Sequence, residues 1–482
     1  MYGIICSHSE RKRSKSVAEL KIATEFNYNH YLIKNNIQLF FICIVSSIIF
    51  VLSFYIGLPL EVSFVLLGII ICLVALFSFH LTYAFFLVLA FLPYVYILRV
   101  HPSVVFSIFL LFSALINFKG DLIKEVKNEL WLPLILYFIV SLPSFVNTPN
   151  PLLSLRDLSN LISLIIVFFV TMLGYPSKKK MMFVFFVFIT AIFLHSLFVI
   201  YSGVTTDKRV LGILGVYYID YAGLGSVITF ILVLYKRGLK RVIFSAIFIV
   251  ITLGLILTQT RNAWISASFT IGTLILFLFF NVEKTSMKRS VIVYLTLVFI
   301  VLLIVFSSST KVDVGERLDV NKNTVSLTDD PESVGLNSFV SRAMIWHTAI
   351  YAFLEHPIIG IGPYAFKHTS QLYYIIPKGF YELYVEGRTP HITYLQVLTE
   401  TGIIGFLAFL FFIITVIKLI VQSLKLLVER DDFIISLMII WSLVYIIFSM
   451  MMTESWLYGP YIVWLGVLLG FLINNKKRLE MN

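Results

Sequence analysis

The sequence predicts an all-α, polytopic integral membrane protein of about fourteen (12 to 14) transmembrane helices with one large extracytoplasmic loop. Three observations predict it. The 482 residues are 59% hydrophobic and 16% aromatic but only 13% charged, whereas soluble domains average about 45–50% apolar and 25% charged. Apolar runs of roughly 20 residues recur along almost the whole chain, each long enough at about 1.5 Å per residue to cross some 30 Å of hydrocarbon. One long polar segment, between Ser307 and His391, interrupts them. The runs read as helices because in lipid a backbone must satisfy its own hydrogen bonds.

Residues 1–36 form a polar, basic tail with Arg11, Lys12, Arg13, Lys15, Lys21 and Lys34. The first apolar run, Ile37 to about Tyr55, exceeds a signal-peptide core and reads as a retained span. Helices 1 to 11 are expected within 37–306, near 37–56, 62–78, 82–98, 102–118, 130–146, 158–174, 181–201, 212–235, 241–258, 263–281 and 290–306. The loop takes 307–391. Helices 12 to 14 fall within 392–473, near 403–421, 433–452 and 456–473, and 474–482 is a C-terminal tail. The polar break from Ser78 to Thr82 is short enough for its flanking runs to form two spans or one hairpin, and twelve helices would keep the same sidedness.

The net charge of +11 is a topology signal. On this division 25 of the 37 Lys and Arg residues share the side of the N-terminus and 12 lie opposite. The positive-inside rule then makes the first side cytoplasmic and puts both termini there. Nucleic-acid binding is not expected. Cys6, Cys43 and Cys72 have neither metal-ligand nor disulfide spacing, and no cofactor or metal is expected.

The long loop has two parts. Thr310 to Ser338 is rich in Asp, Asn, Ser and Thr, which suits a flexible surface stretch. Beyond it, Arg342, Ile345, Trp346, Ala349 and Phe353 recur at helical spacing, and Pro357 should stop that helix near Glu355–His356. Gly360-Ile361-Gly362-Pro363 predicts a tight turn, and the aromatic residues from Tyr364 to Tyr384 suit a partly buried cap at the membrane interface.

Candidate chemistry gathers on the outer side. Arg261, in Thr258-Gln259-Thr260-Arg261-Asn262-Ala263-Trp264, lies at the mouth of a very short hairpin with Trp264 beside it. It is either a snorkelling interfacial residue or a phosphate clamp, since a guanidinium pairs two-point with phosphoryl oxygens. Arg209 and Arg342 lie on the same side and converge with it if the loop caps the site. Asp220, near the outer end of a span, is a functional candidate or a counter-ion for an arginine. His391 stands where the loop re-enters the membrane, as a helix-start hydrogen-bonding residue or as a base for a sugar hydroxyl. No Gly-rich nucleotide loop, zinc motif or Asp-x-Asp pair accompanies them.

Ser341-Arg342 to Trp346, then Glu355-His356-Pro357-Ile358-Ile359-Gly360-Ile361-Gly362-Pro363-Tyr364-Ala365-Phe366, then His391 through Glu400-Thr401-Gly402-Ile403-Ile404-Gly405 together resemble the bacterial O-antigen ligase and O-antigen polymerase superfamily. The Thr260–Trp264 turn is similar to that family's Arg-containing turn. The resemblance covers about 258–408. It implies many spans, a large periplasmic loop, and metal-independent transfer of a glycan from an undecaprenyl-pyrophosphate donor to a glycan or lipid A core acceptor. It implies that Arg261 and Arg342 hold the pyrophosphate and that His391 is the base; beside these, Arg209 is a further candidate for the pyrophosphate, and Asp220, Trp264 and Glu400 are candidate supporting residues. Membrane lipids and a flippase or chain-length regulator are the implied neighbours. Ile392 stands where many ligases carry Asn, Ser or Gln, which tilts the reading toward a polymerase.

The competing class is a transporter or flippase of a lipid-linked glycan or anionic solute. No internal repeat is visible, and the largest polar element is one-sided, which suits a lidded site better than alternating access.

Overall fold

The computed structural model describes residues 79–91, 102–118, 128–175, 177–205, 215–281, 338–427, 433–453 and 459–481. The chain divides into two units, residues 1–85 and 86–482. Of the first, only 79–85 are described, the start of helix α1 (Phe79–Leu89). That helix begins at Phe79, inside the break expected from Ser78 to Thr82, and the residues before it lie outside the described ones. The expected spans near 37–56, 62–78 and 290–306, the flexible loop part up to 337, and Arg209 lie outside the described residues.

In the second unit the order is α2 (Pro102–Asn117), α3 (Trp131–Ser141), a 3-10 turn (Pro143–Asn147), α4 (Pro151–Gly174), α5 (Lys178–Thr205), α6 (Val216–Tyr235), α7 (Leu239–Leu257), α8 (Arg261–Asn281), α9 (Ser338–Glu355), α10 (Phe366–Thr369), α11 (Lys378–Tyr384), α12 (Thr393–Leu426), α13 (Phe433–Ser449) and α14 (Gly459–Met481). No strand occurs among the described residues. Among the described residues five helices are long and apolar enough to cross a membrane: α5, α6, α7, α8 and α12. Shorter apolar helices include α13 and parts of α2, α3 and α4. Together with the apolar composition, these make the chain an integral membrane protein.

Burial separates the helices by role. α6 is enclosed on all sides, packed by α5, α7, α8 and α13. α5, α7 and α8 instead leave large apolar side chains exposed, among them Phe183, Leu194, Val242, Ile249, Leu276 and Phe280. In water such faces would be costly; against acyl chains they are solvated. α14 packs on α4, and α12 on α3, α9 and α14.

The expected loop helix is α9, ending at Glu355 directly before His356-Pro357. Its inward residues Met344, Ile345, Ala349 and Ala352 form one core with Phe366, Phe380, Tyr381 and Val385, so residues 338–391 are an ordered layer and not a string of turns. Within it burial pushes the Tyr381 hydroxyl above the usual phenol range, partly opposed by its 2.9 Å hydrogen bond with Ser370.

Helix α12 is broken. Gly402 has φ 65° and ψ −169°, so Thr393–Thr401 and the run from Ile403 are two helical pieces. The span expected at 403–421 starts one residue after that break. A break strands N–H and C=O groups that lipid cannot satisfy. The segment after α9 supplies the partners: Ile403 N donates to Pro357 O at 2.8 Å, Ile361 N to Thr399 O at 3.1 Å and Gly362 N to Glu400 O at 3.0 Å. Two glycines make this crossing possible. A Cβ on Gly360 (φ 70°) would collide with the Glu400 backbone, and one on Gly402 with the Ile358 carbonyl. From the other side, Asn147 Nδ2 donates to Gly360 O at 2.8 Å and Ser154 Oγ to Pro363 O at 2.6 Å.

Candidate functional site

The site is assembled on the turn that ends α13. A helix leaves its last four carbonyls without intrahelical partners; here the turn that follows α13 folds back onto them, with Met450 N donating to Ile446 O and Thr453 N to Ser449 O, and two other elements use the turn's own carbonyls. Thr393 N donates to Met450 O at 3.0 Å and to Thr453 O at 3.1 Å, and Thr393 Oγ1 donates to Thr453 O at 2.7 Å. Asn262 Nδ2 donates to Met452 O at 2.7 Å. The first residue of α12 and the second residue of α8 are thereby tied to one five-residue turn.

Asn262 has a second task. Its Oδ1 accepts a hydrogen bond from Arg342 Nη1 at 3.3 Å, which joins α9 to the same hub. Arg261, the residue before it, opens α8 and is half-buried. Among the described residues Arg261 makes no hydrogen bond or ion pair. It also sits at a helix N-terminus, where free N–H groups and the macrodipole already favour an anion. The turn leading into it is held tightly: Gln259 N donates to Ile256 O at 2.9 Å, and Gln259 adopts φ 51°. Trp264 Nε1 donates to Leu255 O at 3.0 Å, so the indole closes the α7–α8 hairpin from within.

His391 is held from both sides. Pro390 O accepts a hydrogen bond from Trp346 Nε1 of α9 at 2.8 Å, and Thr393 is bound to the α13 turn as above. Between these anchors His391 takes φ 57°, a left-handed conformation that costs a non-glycine residue about 1–2 kcal/mol. Such strain persists only where the surroundings impose it, and it concentrates at functional positions. Its side chain is half-buried. Of the neighbouring histidines, His347 is exposed and His356 lies at the α9 terminus with its ring 5.9 Å from Tyr373.

The other predicted residues fall as follows. Asp220 is 6% exposed, near the start of α6, and its Oδ1 accepts a hydrogen bond from Ser449 Oγ at 3.3 Å. Glu400 is buried one residue before Thr401, with Gln396 Nε2 donating to its Oε2 at 3.3 Å. It lines a small cavity of about 20 Å³ with Tyr137, Ser141, Phe145, Pro363 and Val397, room for roughly one water. Arg342, Trp346, the residues flanking His391, and Asn262 beside Arg261 are therefore brought to one hub, while Glu400 lies beside the glycine crossing.

Sequence reasoning missed Asn262, Thr393 and the α13 turn. Asn262 and Thr393 had a signal, since each is a small polar residue at the start of a helix next to a candidate. The turn had none, because it acts through backbone carbonyls, which every residue carries.

No curated protein matches the chain. A family model described as O-Antigen ligase matches residues 246–410, a stretch that takes in α8 with Arg261, α9 with Arg342, the glycine crossing, and His391 with the first half of α12. Over residues 246–410 the chain is therefore similar to the O-antigen ligase family, the same one that its motif succession resembles.

Proposed function

We propose that the protein is a membrane glycosyltransferase that moves a glycan from undecaprenyl pyrophosphate to an acceptor sugar hydroxyl at the outer face of the bacterial cytoplasmic membrane. The observation that carries this reading is the convergence on the α13 turn of Asn262, which joins Arg261 to Arg342, and of Thr393, which anchors the strained His391.

The chemistry follows from the groups present. The prenyl chain lies against the apolar helix faces, and its pyrophosphate reaches the N-terminus of α8 under the layer formed by residues 338–391. Arg261 supplies a planar fork of donors. Arg342 adds a second, with one N–H committed to Asn262 and fixing its plane. An imidazole nitrogen of His391 takes the proton from the acceptor hydroxyl as its oxygen attacks the anomeric carbon with inversion. The C–O bond to the pyrophosphate breaks, and its electron pair leaves with the lipid pyrophosphate. That developing charge is what the arginines stabilise, so no metal is required. Holding two large substrates in register lowers the barrier further. Arg209, on the same outer side, is a third cation for the pyrophosphate.

A lipid-linked repeat unit as acceptor makes the enzyme a polymerase, and lipid A core makes it a ligase. Ile392 favours the first. The loop 307–391 is taken as periplasmic with both termini cytoplasmic, so reporter fusions should place Lys178, Lys240 and Lys284 inside and Asp329 outside. The testing experiment supplies purified protein in detergent with a lipid-linked glycan donor and each acceptor in turn. Transfer in detergent, where no gradient exists, supports an enzyme. Absence of product with every acceptor, together with donor movement across a reconstituted bilayer, would assign a flippase instead.

A further inference from the structure

We propose that Asp220 is a positioning residue for the transfer site, fixing from below the α13 turn whose carbonyls hold both its arginine side and its histidine side. The inference rests on the reading above and lies outside the family-matched stretch, since Asp220, Ser449 and Thr453 are not within 246–410.

A carboxylate in the fully enclosed helix α6 has a cost that packing alone would not offset. What surrounds it explains its retention. Ser449, the last residue of α13, donates its hydroxyl to Asp220 Oδ1 at 3.3 Å. The hydroxyl oxygens of Ser449 and Thr453 lie 3.3 Å apart, and Thr453 N donates to Ser449 O at 2.9 Å. The turn from Ser449 to Thr453 is thus tied at its base to α6, and its outward carbonyls at Met450, Met452 and Thr453 remain for Thr393 and Asn262. The packing around the carboxylate is close: a Cβ on Gly223, three residues along α6, would collide with the Tyr445 hydroxyl.

This arrangement gives one acidic side chain leverage on two arms. If the turn loses its anchor, Thr393 and Asn262 move with it, and both the strained His391 and the Asn262–Arg342 pair lose their reference. The anchor needs an acceptor oxygen, not a charge. Asp220→Asn keeps such an oxygen, whereas Asp220→Ala removes it.

The experiment compares Asp220→Ala, Asp220→Asn, Ser449→Ala and the double variant Asp220→Ala/Ser449→Ala in detergent. It reads two quantities: glycan turnover per folded protein, and hydrogen exchange of the Thr393 amide. Asp220→Ala and Ser449→Ala should each lower turnover about three- to tenfold, the scale of one hydrogen bond. The double variant should fall no further than the worse single one, as expected for two groups in one bond. Thr393 exchange should accelerate in all three, and Asp220→Asn should restore both quantities. The proposal is overturned if Asp220→Asn is as damaging as Asp220→Ala, if the two single effects multiply, or if exchange at Thr393 is unchanged. Should Asp220→Ala fail to fold, Ser449→Ala and Asp220→Asn still decide. If the wild type transfers no glycan, the functional reading fails by itself, and Thr393 exchange still tests the anchor.

Discussion

The two ends of the Thr393–Thr401 piece of α12 are held in opposite ways. At its inner end the chain crosses itself with backbone against backbone, Gly360 on Gly402, and the orphan groups of the break are satisfied by main-chain partners. At its outer end, besides the Thr393 amide on the α13 turn, the site hangs on individual side-chain hydrogen bonds: Thr393 to Thr453, Asn262 to Met452, Arg342 to Asn262 and Trp346 to Pro390. The first arrangement tolerates no added atom. The second tolerates substitution but loses geometry with each bond. A rigid crossing beside a rim of individually held groups suits the proposed transfer site, whose scaffold must not move while bulky substrates enter and leave.

That difference predicts different kinds of failure. The largest effect is expected at the crossing: Gly402→Ala and Gly360→Ala each add a Cβ into backbone and impose φ above 60° on an L-residue. Folded protein should be nearly absent, as measured by monodisperse yield after membrane extraction. Ordinary yields would show that the segments can separate. At the rim, Arg261→Lys keeps the cation and loses the fork, so turnover should fall about 10²-fold at unchanged yield, by analogy with removal of a single transition-state donor. Near wild-type product would reduce Arg261 to an interfacial anchor.

Asn262→Ala comes next. It unties Arg342 and frees the Met452 carbonyl without touching substrate, so turnover should drop about tenfold, roughly the worth of a hydrogen bond to a charged group. Combined with Arg342→Ala, it should add little. Fully additive losses would mean that Asn262 does not act through Arg342. The smallest effect is expected from chelation. EDTA should leave product formation unchanged, and loss that a divalent cation restores would contradict transfer supported by arginine alone.

How much of this was legible in the sequence depends on which atoms act. The helices were legible because burial in lipid imposes long apolar runs, and α5 to α8 follow the expected spans to within a few residues at most ends. The exceptions are instructive. α14 carries on through Lys476-Lys477-Arg478 into the expected tail, where Lys476 pairs with Glu129 at 2.7 Å. The Gly360-Ile361-Gly362-Pro363 turn and the Pro357 stop were legible because glycine and proline suit such backbone. The break at Gly402 was not, since Thr-Glu-Thr-Gly-Ile-Ile-Gly reads as a continuous helix until a second segment competes for its hydrogen bonds. Asp220 was visible as a buried acid, but its partner was legible only in three dimensions: a serine 229 residues away. The left-handed backbone of His391 was equally invisible, because it is imposed from outside by Trp346 and the α13 turn.

Product per folded protein for His391→Ala distinguishes an imidazole that performs the proton transfer from one that merely holds the loop. A general base typically contributes about 10²–10⁴-fold, so the account predicts residual turnover of roughly one per cent or less. Yield, thermal stability and donor binding should stay near wild type, since the backbone around residue 391 is fixed by its neighbours' bonds and not by the imidazole. Normalised turnover within a few-fold of wild type would contradict the account and leave the acceptor hydroxyl to be activated by another group.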